Sequence, residues 1–323
     1  SKPSIVIGIV IISRLRRPVI LILKICKSTI SPHNDIFYFV YGGKIPFYFG
    51  YYPCSITLVL VITIYLIVSG IPAIAEIGLF NFLFGQEWAS TAAEPKFGIL
   101  PFILSSVYGM GGAILIGVPI GFFTAVFLSK VANKKVKAVV GAAVNLLAGI
   151  PSVVYGLVGM LVLVPGIRIL FNLPDGASLL ASIIVLAVMI LPSIIKMSMT
   201  ALDAVPREYE EGSLALGATT TETYFKVYVP AAKSGIAAAV VLGVGRAIGE
   251  TMAVIMVAGN VANMPTLFGS VRFLTTAVAS EMSYSSPGSL QRNALFSIAL
   301  VLFLFIMLIN ATLNFLLKRD KEK

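Results

Sequence analysis

Charge is scarce in this chain. Only 12% of its 323 residues are Asp, Glu, Lys or Arg, whereas 58% are hydrophobic. Soluble domains carry about 25% charged residues. The chain therefore has too little polar surface to cover itself in water, and a soluble fold is excluded. Histidine is rarer still, a single residue, His33, and there are two cysteines, Cys26 and Cys54. Neither residue type stands at metal-ligand spacing, and nothing points to a disulfide framework. His33 lies in an unpatterned N-terminal stretch with no second ligand near it, and it reads as a solvated loop residue. A membrane enzyme needs a nucleophile with its base, metal ligands or paired carboxylates at depth. With one histidine outside the spans and one clear intramembrane acid, that constellation is missing. No G-x-x-x-x-G-K-[ST] phosphate loop occurs, so the chain is not expected to hydrolyse ATP itself.

What is abundant is apolar sequence, with a mean hydropathy of +0.97. Several runs reach the roughly 20 residues that cross a bilayer. The expected fold is an all-α polytopic membrane protein with spans near 55–74, 99–128, 138–165, 178–200, 236–258 and 291–317. Pro119 and Pro151 fall inside two of them, which spans tolerate where neighbours satisfy the freed carbonyls. The net charge of +10 does not read as nucleic-acid binding, because the lysines and arginines cluster in short loops. "SKVANKKVK", with Lys130, Lys134, Lys135 and Lys137, separates spans two and three, and "KRDKEK" follows span six. The loop after span one instead holds Glu76, Glu87, Glu94 and only Lys96. The excess of positive charge on cytoplasmic loops then puts both termini in the cytoplasm.

The expected organisation is an N-terminal segment over 1–52, a first span with its outer loop over 53–98, a transmembrane domain over 99–317 and a basic tail over 318–323. In the first segment, "SIVIGIVII" and "VILILKIC" are too short to span and are split by Arg14, Arg16 and Arg17. A cytoplasmic or interfacial placement is expected. The arginines and the lack of a small-residue cleavage site argue against a secretory signal.

The longest polar segment on the cytoplasmic side, "DAVPREYEEGSLALGATTTETYFKVYVPAAKSG", divides into two helices. Pro206 suits a first helical position, and Glu208, Glu210 and Glu211 suit the positive end of the helix dipole. Gly217 stands where a helix stops in a left-handed cap. Thr219 and Glu222 have the spacing of a capping box that starts the second helix. On composition alone, the hairpin is either a solvated loop or a docking element for a cytoplasmic partner.

This stretch resembles the cytoplasmic motif of ABC importer permeases: E-A-A, a glycine four residues beyond the second alanine, then I-x-L-P. Glu211 and Gly217 match the glutamate and glycine. Val227 and Val229 stand for the isoleucine and leucine, and Pro230 for the proline. Gly212 and Ser213 replace the two alanines. They keep the site small, although glycine loosens a helix by about 1 kcal/mol relative to alanine. "GRAIGETMAV", "AGIPSVVYGL" and "EIGLFNFLFGQEW" resemble the C-type permease subunits of bacterial phosphate-specific ABC importers. The likeness runs from about residue 55 to the C-terminus.

The resemblance implies an importer permease fold of the type I class, in a bacterial or archaeal inner membrane. It implies a coupling hairpin, with Glu210, Glu211, Gly217, Val227 and Pro230, that inserts into an ATP-hydrolysing subunit. It further implies a sister permease, two copies of that ATPase and an external phosphate-binding protein. ATP and magnesium are expected on the ATPase and no cofactor in this chain. Phosphate as cargo rests on the resemblance, since sulfate and molybdate are also tetrahedral oxyanions.

"GVGRAIGETMAV" puts two charges inside an apolar run. Exposed to lipid, each costs about 2.5–3.5 kcal/mol, so both are expected to face protein or water. At four residues apart, Arg246 and Glu250 are expected on one helix face, with Ala239, Gly243 and Ala253. Val241, Val244, Ile248 and Ile255 are expected opposite, toward lipid or neighbouring helices. Two readings stand: a buried ion pair that pins packing, or an anion path in which Arg246 offers a planar fork and Glu250 weakens its grip. The resemblance favours the path. Asn145, Ser152 and Tyr155 are either anion donors or partners of carbonyls freed near Pro151. Lys196 is expected to snorkel to the cytoplasmic interface. Arg272 and Glu281 are assigned to an outer loop, either solvated or open to a binding protein. An ion-coupled secondary transporter is the rival class, but the spans show no obvious inverted repeat and the hairpin would lack a purpose in it.

Overall fold

A computed structural model describes residues 46–321. The readings of Cys26, His33 and the stretch before residue 46 lie outside the described residues. Almost everything described is helical. Helix α1 (Pro46–Ile77) leads into the short α2 (Leu79–Phe84) and a two-stranded antiparallel ribbon, β1 (Trp88–Ala89) with β2 (Lys96–Phe97), in which Trp88 pairs with Phe97. Then come α3 (Leu100–Val126), prolonged by a π-helical turn over Phe127–Val131, and α4 (Lys134–Gly149). Next is α5 (Ser152–Val158), joined through a π-turn to α6 (Val164–Leu170), and the long α7 (Leu179–Asp203). The polar hairpin consists of α8 (Glu208–Ala215), α9 (Thr220–Thr223), a π-turn over Tyr224–Tyr228 and α10 (Val229–Ala231). The remaining helices are α11 (Lys233–Gly249), α12 (Met252–Val257), α13 (Leu274–Glu281) and α14 (Leu290–Lys321).

Among the described residues, five helical segments are long and apolar enough to cross a membrane: 57–77, 100–131, 152–170, 179–203 and 290–312. The fifth expected span is not one straight helix. Residues 220–231 and 233–249 meet at 71°, and the helical backbone stops again at Glu250, so the run expected over 236–258 is split between α11 and α12. The run expected over 138–165 also divides, because Ile150 and Pro151 are extended (ψ 128 and 143). Pro119, by contrast, sits inside an unbroken α3. The boundary expected near residue 52 falls within α1, and the expected tail from 318 continues α14 as far as Lys321.

Helix α7 is the most enclosed span and α1 the most exposed. Its enclosure comes from close approach of α3, whose Gly112, Gly117 and Gly121 lie against Ile183, Ile190 and Ile194. A Cβ at those glycines would meet isoleucine atoms at 2.7, 2.8 and 2.9 Å. In lipid, where apolar burial drives little, such small-residue seams let helices gain packing contact. The N-terminal half of α7 forms one core with α12 through Ile183, Leu186, Met189, Ala253, Val254 and Val257. The C-terminal ends of α3 and α7 close around Ala125, Val126, Leu202 and Tyr228. The first amides of α7 are satisfied by carbonyls of Val257, Leu267 and Gly269. The loop after α12 is thereby placed at the end of the bundle away from the hairpin.

Candidate functional site

Arg246 lies near the end of α11, and its Nη1 donates to Ser193 Oγ on α7 at 3.3 Å. Ser193 is 14 residues into α7 (193 − 179), roughly 20 Å at 1.5 Å per residue. The pair therefore sits near mid-depth. Tyr155 is close enough to feel the Arg246 charge, yet its hydroxyl donates to the Leu147 carbonyl at 2.6 Å. It thus satisfies a carbonyl freed at the Pro151 break. Ser152 opens α5, and Asn145 is exposed on α4. Neither side chain hydrogen-bonds to Arg246.

Glu250 departs from the expected arrangement. It takes an extended conformation (φ −72, ψ 129) just after the last turn of α11, so the four-residue spacing no longer sets a shared face. Its Oε1 accepts the Ala253 amide at 2.9 Å, and its carbonyl accepts the Thr275 hydroxyl at 3.0 Å. Among the described residues no ion pair joins Arg246 and Glu250. The carboxylate caps α12, where negative charge at a helix start is favourable by about 0.3–1 kcal/mol. A sequence signal was present: Gly249 is a stop and Glu250-Thr251 a start, inside a run whose hydrophobicity hides both. Along α11 the small residues Ala239 and Gly243 are buried, as are Val244 and Ile248. The bulky side is taken up by neighbouring helices. Leu242, Gly245 and Gly249 are the exposed positions flanking Arg246.

The polar hairpin forms as its capping residues dictate. Gly217 adopts φ +84, and Thr219 with Glu222 closes both bonds of the capping box. Lys226 first, and then Thr219, pulls the exposed Glu222 carboxyl down to about 2. It therefore stays ionised until pH falls toward that value. Ser213 Oγ and Thr223 Oγ1, 2.9 Å apart, tie the two helices together. Glu211 and Pro230 are exposed and Val227 half-buried, while Leu216 at the hairpin tip is 91% exposed. Glu210 turns inward and accepts the Tyr228 hydroxyl at 2.8 Å. Tyr228, 1% exposed, reads from sequence only as part of the apolar surface of the second hairpin helix; its bond to Glu210 has no sequence signal. Lys196, well inside α7, is exposed.

At the end of the bundle away from the hairpin, Glu281 is only 3% exposed, so it is not a solvated loop residue. Oε1 accepts Trp88 Nε1 at 2.9 Å and pairs with Arg272 Nη1. Oε2 accepts Ser90 Oγ at 2.8 Å and Gln291 Nε2 at 3.3 Å. Arg272 also donates through Nε to the Asn260 carbonyl at 2.9 Å. A buried carboxylate is tolerable only with such complete pairing.

Residues 117–320 match the family described as binding-protein-dependent transport system inner membrane component. The chain is 44% identical over 255 residues to the probable ABC transporter permease protein YqgH of Bacillus subtilis, covering 77% of this chain and 82% of that protein. It is 36% identical over 260 residues to the phosphate transport system permease protein PstC of Mesorhizobium japonicum, covering 74% and 79%. Among solved structures, a bacterial alginate ABC transporter in complex with alginate pentasaccharide-bound periplasmic protein superposes at TM-score 0.57 and 15% identity, over 84% of this chain and 92% of that one. The MetNI methionine ABC transporter, in an inward-facing conformation, superposes at TM-score 0.54 and 21% identity, over 69% and 97%. These likenesses give the fold.

Proposed function

The chain belongs to the family of binding-protein-dependent transport system inner membrane components, and we propose that it is one of two permease subunits of an ATP-driven importer of inorganic phosphate. It is a multi-pass membrane protein and a transport subunit, not itself an enzyme. The single observation that carries the proposal is Arg246: a guanidinium near the middle of α7, held by a serine hydroxyl, with no carboxylate paired to it among the described residues. Such a group, half-buried beside the exposed Leu242, Gly245 and Gly249, needs a counter-charge, and a passing oxyanion supplies one. The planar fork suits tetrahedral oxyanions. Phosphate is favoured by the relatives that carry it in their names.

A sister permease completes the route, and an external phosphate-binding protein delivers to it. Two ATPase copies, holding ATP and magnesium, grip the hairpin through Glu211, Gly217 and the exposed Leu216. Both termini face the cytoplasm, beside the lysine-rich loop. The test is uptake of labelled phosphate, sulfate and molybdate by vesicles containing the full complex. ATP-dependent phosphate entry is the expected result. Entry of another oxyanion to the exclusion of phosphate, or uptake driven by an ion gradient without ATP, overturns the reading.

A further inference from the structure

Two π-helical turns face one another where the hairpin meets the bundle: Phe127–Val131 at the end of α3, and Tyr224–Tyr228 in the hairpin. π-Turns carry an extra residue, cost hydrogen-bond geometry and recur at functional sites. Here they bring three groups into line. Lys130 Nζ stands 3.4 Å from the centroid of the Tyr228 ring. The Tyr228 hydroxyl donates to Glu210 Oε2 on α8. The Tyr224 hydroxyl donates back to the Lys130 carbonyl at 3.0 Å. One residue earlier, Ser129 Oγ donates to Asp203 Oδ1 at the end of α7, and Lys137 pairs with Asp203 Oδ2 at 3.2 Å. Buried around the ring are Ala125, Val126, Leu202 and Val205. The charged groups that act on Lys130 are Glu210, Asp203, Lys137 and Arg207.

We propose that Lys130 and Tyr228 form a latch that locks the coupling hairpin to the cytoplasmic ends of α3 and α7, so that the three move as one body when the ATPase pulls. Glu210 is then a positioning residue held inside the subunit, and not a contact to the ATPase. A cation over an aromatic face is held by the negative face of the ring, more firmly where water is excluded. The tyrosine hydroxyl extends that grip to the first hairpin helix. The latch rests on the importer reading for its purpose but not for its mechanics.

Two measurements test it. In vesicles containing the full complex, phosphate taken up per ATP hydrolysed is compared for the unaltered chain, Lys130→Met, Lys130→Arg and Tyr228→Phe. Lys130→Met is expected to lower the ratio roughly three- to tenfold while the ATPase still co-purifies. Lys130→Arg restores it, because a guanidinium also sits over an aromatic face, and Tyr228→Phe falls between. An unchanged ratio in Lys130→Met overturns the latch. So does a fall in Lys130→Met that Lys130→Arg fails to rescue.

The second measurement needs no cargo. Spin labels at Val131→Cys and Glu208→Cys, with Cys26→Ser and Cys54→Ser, report the spacing of α3 and hairpin in the full complex. One narrow distance, the same with and without nucleotide, is expected, broadening in Lys130→Met. A distance that changes with nucleotide in the otherwise unaltered chain sinks the proposal. If the unaltered complex takes up no phosphate, the cargo assignment fails and this distance alone decides the latch.

Discussion

Arg246 donates to the Ser193 hydroxyl across the seam between α11 and α7, and not to Glu250. Replacing Arg246 with alanine should abolish phosphate uptake while the complex still assembles and the ATPase stays bound. Ser193→Ala removes only the tether. A hydrogen bond to a charged group contributes about 1.5–3 kcal/mol, and this one is long, so a loss of up to roughly tenfold is expected. Loss of assembly in Arg246→Ala, read by co-purification, would return the residue to a packing role.

Glu250→Gln and Glu250→Ala separate capping from charge pairing. The glutamine keeps an oxygen for the Ala253 amide, so thermal stability in detergent should stay near that of the unaltered chain. Alanine removes the cap, at a cost of about 0.5–2 kcal/mol. Equal losses in both variants would mean that the negative charge itself is needed.

Gly156→Ala should push α5 away from α12. A Cβ there would lie 2.8 Å from the Ala253 α-carbon, which is backbone and cannot rotate aside. Overpacking of this kind costs about 1–3 kcal/mol, visible as a lowered Tm. An unaltered Tm would show that the two short helices are free to separate.

Arg272→Met should strand the Glu281 carboxylate in a nearly closed site. Breaking a buried pair from one side costs about 3–5 kcal/mol, and poor membrane accumulation is the expected readout. Glu281→Gln with Arg272→Met should recover part of the loss. The alternative, a surface pair of little consequence, predicts normal accumulation in both variants.

Glu211→Ala and Gly217→Val should uncouple ATP hydrolysis from uptake without changing membrane insertion. Gly217 needs its left-handed backbone, which a β-branched side chain resists. Gly212→Ala, at a position with open space around it, should instead tighten the first hairpin helix by about 1 kcal/mol. Retained ATP-to-phosphate coupling in both Glu211→Ala and Gly217→Val would remove the hairpin from the coupling role.

The parts legible in the sequence were those governed by local chemistry. Apolar length marked four of the six spans as single helices, Gly217 marked the helix stop, and Thr219 with Glu222 marked the restart. The breaks at Ile150–Pro151 and Glu250–Thr251 were hidden because apolar residues flank both, so periodicity continues across them. Contacts between distant segments were out of reach for a different reason. Trp88 and Glu281 are 193 positions apart, and Lys130 meets Tyr228 only because two π-turns aim them at each other. No spacing rule links such residues.

The knot around Glu281 also limits where a solute can go. It stitches the ribbon after α2, the stretch before α13, α13 itself and the head of α14 into a single roof. A passage opened beneath that roof, within this chain, would have to tear four donors from one enclosed carboxylate. On the importer reading proposed above, solute travels along the flank of the molecule. This chain then supplies a half-pipe, and the proposed sister permease closes the other side.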